Sequence, residues 1–124
     1  GKSMGGRVAA TLASGELLSS HELSSFKGVI CLGYPFHPQG KPEKLRLLPL
    51  QQSIKNNLIL QGDRDPLGNK QDIKDYQLPA SCQVSFFEDG DHDLKPRVKS
   101  GFTQSQHLSK VADIIQKKAV ENLF

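Results

Sequence analysis

The sequence predicts an α/β fold built on a parallel sheet, and three observations carry that expectation. Three short runs, Gly28 to Gly33, Asn57 to Gly62 and Gln83 to Phe87, contain no charged residue and are largely apolar, as strands buried on both faces are. Helical patterns lie between and around them, giving strand, helix, strand, helix, strand, helix, the order of parallel strands with crossovers. Polar residues suited to chemistry fall where strands finish: Asp63 and Asp65 after the second run, His92 after the third. Open parallel sheets bind ligands at that rim.

Composition bounds the answer. A chain of 124 residues is one domain's worth and can bury a single core. Charged residues at 23% and apolar ones at 36% describe a soluble globular chain. The net charge is only +3 and no long basic run occurs, so no nucleic acid partner is expected. No apolar stretch approaches the ~18 residues of a membrane span, and nothing resembles a signal peptide, so no membrane association is expected. Cys31 lies inside an apolar run and Cys82 just before another, without metal-ligand spacing. They read as buried thiols in a reducing compartment, and the expected location is cytoplasmic. No metal and no cofactor are expected.

The elements follow in order. Met4, Val8, Ala9 and Leu12 recur at helical spacing from Ser3 to about Ala13, with Gly15 placed to end the helix. A polar, serine-rich passage from Glu16 to Lys27 leads to the first strand. Tyr34 to Pro42, with its prolines and Gly40, is a loop, and Glu43 to Leu50 is expected to form a short helix behind it. Asp63 to Gly68 is turn chemistry after the second strand. Asn69 to Gln77 reads as helical. The third strand precedes Glu88-Asp89-Gly90-Asp91-His92-Asp93. An amphipathic helix from about Ser105 to Leu123 closes the chain, with Leu108, Val111, Ala112, Ile115 and Ala119 on one face.

The chemistry starts at Gly1-Lys2-Ser3-Met4-Gly5. Gly-x-Ser-x-Gly is the pattern of a strained strand-to-helix turn that presents a serine hydroxyl above a parallel sheet. Gly1 and Gly5 would let strand and helix pack closely. The N–H of Met4 would face the oxyanion of a tetrahedral intermediate. Chance alone produces the pattern in roughly one chain in twenty of this length, so the rest of the chain has to support it. The same residues also fit the tail of a phosphate-binding loop, Gly-Lys-Ser. The chain order Ser3, Asp63 or Asp65, His92 favours the first reading. It is the order of a serine nucleophile, a carboxylate orienter and a histidine base in α/β-hydrolases.

Bland readings compete at each position. Ser3 could cap a helix, Asp65 could be a turn residue before Pro66, and His92 could be a solvated turn histidine. His37 and Tyr34 are candidate pocket residues on the proline-rich loop. His21 and His107 read as surface residues, and Arg7, Lys95, Arg97 and Lys99 as a solvated face.

Gly-Lys-Ser-Met-Gly-Gly-Arg at 1–7, Gly33-Tyr34-Pro35-Phe36-His37-Pro38, Leu60-Gln61-Gly62-Asp63-Arg64-Asp65-Pro66-Leu67-Gly68 and Gly90-Asp91-His92-Asp93 together resemble the α/β-hydrolase superfamily. More narrowly they are similar to the small, cap-less, dienelactone-hydrolase-like group that includes the testis-expressed and nonspecific-lethal-complex hydrolase-like proteins. The resemblance implies a three-layer α/β-hydrolase fold and a serine hydrolase acting on an ester, thioester or similar acyl bond. Its implied site is Ser3 as nucleophile, His92 as base and Asp65 as acid, with Asp63 the lesser candidate. It also implies that residues 1–124 correspond to the C-terminal half of one hydrolase domain, with the N-terminal strands absent from this chain. A missing N-terminal half or a dimer partner is then expected to cover one sheet edge, and the piece alone to have little activity. The expected partner of the site is a small acyl substrate. A hydrolase-like fold used only as a binding or scaffold module is the alternative.

Overall fold

The computed structural model describes residues 1–121, and its sheet has three parallel strands in the order β1 (Gly28–Leu32), β2 (Asn56–Gly62) and β3 (Cys82–Phe87). The register runs Ile30 to Leu58 to Gln83 and Leu32 to Leu60 to Ser85. Residues 1–3 extend the sheet beside β1. Lys2 bridges Leu32 in parallel, and the Leu32 N–H donates to the Gly1 carbonyl at 2.8 Å. All strand carboxyl ends therefore point to one rim.

Alternation along β2 divides the core into two layers, because successive side chains of a strand point to opposite faces. Ile59 faces Ala10 from α1 (Met4–Leu12) and Ala13 just after it, Leu50 from α3 (Leu48–Gln51) and Ile73 from α4 (Lys70–Ile73), together with Val29, Cys31, Tyr34 and Phe36. Leu58 and Leu60 face Phe87, Leu94 and Val111, the last from α5 (Gln104–Val120). The fold is thus helices, sheet and helix, the α/β arrangement expected. Cutting Ile59, which is fully buried, to alanine would cost about 2–5 kcal/mol through lost burial and the cavity left behind.

Several local expectations are corrected. The buried side of α1 is Gly6 and Ala10, while Met4 and Val8 are exposed. A Cβ on Gly6 would sit 3.0 Å from the Cys31 Cβ, so the helix lies too close to β1 for large side chains on that side. Around Gly5 a Cβ would meet nothing within 4 Å among the described residues, so Gly1 and Gly6, not Gly5, are the close approaches. The helix expected from Glu43 starts only at Leu48, because Arg46 is tied to the preceding loop. Its N–H donates to the Phe36 carbonyl and its carbonyl accepts the Tyr34 hydroxyl, both at 2.7 Å. Likewise α4 stops at Ile73, four residues early, where Tyr76 turns in to pack on Phe36.

The serine-rich passage contains α2 (Ser20–Ser24), fixed by a reciprocal capping box between Ser19 and Glu22. On α5, His107, Val111, Ile114 and Ile115 face the core, whereas Leu108, Ala112 and Ala119 are exposed. The expected end of that helix at Asn122 and Leu123 lies outside the described residues. His107 is not a surface residue: it is buried between Phe87 and Phe102, and its Nδ1 donates to the Leu94 carbonyl at 2.8 Å.

Candidate active site

Ser3 sits where the edge stretch turns into α1, and its backbone is strained there. With φ 53° and ψ −120° it occupies a region that non-glycine residues avoid. Two hydrogen bonds hold it: its N–H donates to the Leu32 carbonyl at 2.9 Å, and its carbonyl accepts the Arg7 N–H at 3.1 Å. Its hydroxyl caps no helix N–H, which removes the bland reading of Ser3 as an ordinary cap. The Met4 N–H lies in the first turn, where such groups have no intrahelical acceptor, and no described residue accepts from it.

The hydroxyl meets His92 instead, with Ser3 Oγ 2.8 Å from His92 Nε2. On the other side of the ring, His92 Nδ1 is 2.8 Å from Asp65 Oδ2. A carboxylate can only accept, so Nδ1 carries the proton and Nε2 offers its lone pair to the serine. Asp65 is fully buried, and its second oxygen accepts the Leu67 N–H at 2.8 Å. The hydrogen bond to Asp65 raises the His92 pKa above its ordinary 6.5. Burial works against that rise, the charges of Asp65 and Asp93 add to it, and Lys2 opposes it. Asp63 reaches neither residue; its carbonyl accepts from Lys70 at the start of α4.

The loop carrying His92 is braced throughout. Asp89 and Leu94 both adopt positive φ, at 58° and 60°. Asp91 Oδ1 accepts the N–H groups of Asp93 at 2.8 Å and Lys95 at 3.0 Å. Arg64, between the two aspartates after β2, donates from Nε to the Asp89 carbonyl at 2.7 Å, tying the acid loop to the histidine loop. Arg97, expected on a solvated face, grips Asp89 with Nε at 3.1 Å and a second guanidinium nitrogen at 2.5 Å. That pair holds the Asp89 carboxyl well below the usual carboxylate range. Gly33 closes the other flank: a Cβ there would lie 2.7 Å from the His92 carbonyl oxygen.

A groove of about 470 Å³ runs beside His92, lined among others by Lys2, Leu32, Asp93 and Leu108. Lys2 pairs with Asp93 at 2.5 Å, which does not suit it to a phosphate loop. Neither Tyr34 nor His37 lines this groove. Tyr34 is fully buried, and burial, reinforced by Cys31, drives its phenol pKa upward. His37 is also buried and donates from Nδ1 to the Pro38 carbonyl at 2.8 Å. Cys31 and Cys82 are free thiols, pushed up by burial to about 11 and about 12. Among the described residues no cluster of His, Cys, Asp and Glu could hold a metal ion, and no helix is long and apolar enough to cross a membrane.

Comparison with known proteins finds one family. The family described as alpha/beta hydrolase domain matches residues 1–120. No curated protein and no solved structure matches the chain.

Proposed function

Since the chain belongs to the alpha/beta hydrolase domain family, we propose that it is a serine hydrolase that cleaves an ester, thioester or similar acyl bond through an acyl-Ser3 intermediate. The observation that carries the reading is the unbroken relay Asp65–His92–Ser3, with 2.8 Å at each link. His92 Nε2 takes the Ser3 proton as Oγ bonds to the acyl carbon. The oxyanion so formed is met by the Met4 N–H. As it collapses, His92 returns the proton to the departing alcohol or thiol. Water then repeats the sequence against acyl-Ser3 and releases the acid. Asp65 stays ionised, keeps the proton on Nδ1 and stabilises the imidazolium.

The narrower kinship with small, cap-less, dienelactone-hydrolase-like proteins belongs to the same proposal, as does the assignment of residues 1–124 to the C-terminal half of one hydrolase domain. Both are supported by the four ordered motifs. The short stretch between β1 and β2 leaves no room for a lid domain, which suits an open site and a small or extended acyl substrate. The test is hydrolysis of short-chain aryl esters by the full-length protein, compared with Ser3→Ala. Turnover that disappears in the variant is expected; equal turnover in both sinks the reading.

A further inference from the structure

Gln61 is, with Asn57, one of two buried polar side chains in the most buried strand of the molecule. It occupies the penultimate position of β2, in register with Phe86, and is fully buried. Its side-chain oxygen accepts the Tyr34 N–H at 2.9 Å. The amide nitrogen faces the Gly68 carbonyl at 2.9 Å, Asp65 Oδ2 at 3.1 Å and the Tyr34 carbonyl at 3.2 Å. One donor on one side and acceptors alone on the other leave a single way round for the amide.

The Asp65 oxygen that Gln61 meets is the one that receives His92 Nδ1. With Leu67 holding the other oxygen, the carboxylate is gripped at both ends and cannot rotate without losing a bond. The same amide ties Tyr34, after β1, to Gly68, after β2, so both loops beside Asp65 share one anchor. A group that only filled this space would be apolar. Four polar contacts on one buried amide fix a direction as well as a volume.

We propose that Gln61 is a positioning residue for the acid of the relay: its amide N–H fixes Asp65 Oδ2 on the His92 ring, and through that contact sets how well His92 serves Ser3. The inference rests on the serine-hydrolase reading for its effect on turnover, but the contact itself can be read without turnover. Charged groups facing His92 are Asp65, Asp93 and Lys2, and none of them is altered by the variants below.

The experiment is the titration of the His92 ring by NMR in full-length wild type and Gln61→Met, alongside ester kinetics. Methionine keeps the volume and removes the donor. In folded Gln61→Met the His92 pKa falls toward its ordinary value, and kcat drops about tenfold to a hundredfold with little change in KM, the cost of a displaced catalytic group. Gln61→Glu is the second variant, should the first fail to fold; it keeps the oxygen for Tyr34 and replaces the donor with an acceptor. Its kcat falls further than that of Gln61→Met, because a second carboxylate oxygen then repels Asp65 Oδ2 where the donor stood. A folded Gln61→Met whose His92 titrates at or above the wild-type value overturns the proposal, as does wild-type kcat in Gln61→Glu across the pH range. Turnover that survives Ser3→Ala refutes the hydrolase reading alone, since the NMR titration still decides the Gln61 contact.

Discussion

Ser3 Oγ and His92 Nε2 stand 2.8 Å apart, although 89 positions separate them in the chain. The parallel sheet makes this possible. Residues 1–3 are registered on the end of β1, the His92 loop leaves the end of β3, and β2 between them delivers Asp65. One rim therefore collects a hydroxyl, an imidazole and a carboxylate from three separate stretches of sequence.

On the proposed relay, the Asp65–His92 hydrogen bond sets the pH dependence of turnover. A base must be neutral to accept a proton, and the contact raises the His92 pKa above 6.5. The acid limb of kcat/KM is expected above that value. Asp65→Asn should bring the limb down and lower kcat by about 10³–10⁴ through loss of the tautomer. The same shift links to stability. Because folded His92 titrates above its unfolded value, its contribution is complete below the unfolded value and is lost as pH rises through the folded one. Wild type and Asp65→Asn, compared by urea unfolding across pH, check the second statement, and a pH–rate profile checks the first.

Arg97 braces the His92 loop through Asp89. Arg97→Ala is expected to lower the urea midpoint near neutral pH and to reduce kcat/KM by loosening the loop. The Asp89 pKa is depressed in the folded state, so the pair's contribution is present above the unfolded carboxylate value and is lost as pH falls through the folded one. The gap between wild type and variant should therefore shrink in acid. A gap that stays constant down to strongly acid pH would assign the loss to packing instead.

Gly33 lies under the His92 loop at φ 68°, and a Cβ would overlap the His92 carbonyl at 2.7 Å. Gly33→Ala combines a strained backbone with displacement of His92, the proposed base. The expected cost is about 1–3 kcal/mol of stability, with a fall in kcat beyond what the stability loss explains. Thermal unfolding and ester kinetics on the same samples separate the two effects.

Much of the layout was legible because its signals are local. Charge-free runs such as Val29 to Leu32 and Leu58 to Leu60 mark strands buried on both faces without knowledge of partners. Turn chemistry and chain order marked Ser3, Asp63 or Asp65, and His92 as candidates, and the family resemblance chose Asp65; what the sequence did not carry is the distances at which they meet. The capping box at Ser19 and Glu22 was readable, yet α2 lacks the apolar periodicity that draws attention to a helix. On α1 the large apolar residues pointed the wrong way. Close packing on β1 selects Gly6 and Ala10, and hydrophobicity alone favours Met4 and Val8. Gln61 and His107 were missed for a different reason: a buried polar side chain is recognised by its partners, here Asp65 and Leu94, which only folding brings near.

The most direct test of the account is covalent labelling by a fluorophosphonate, read by peptide mass spectrometry on the folded full-length protein. The account predicts modification at Ser3, abolished by Ser3→Ala and greatly slowed by His92→Ala. A folded protein that stays unlabelled at Ser3, or is labelled there as fast without His92, would contradict it.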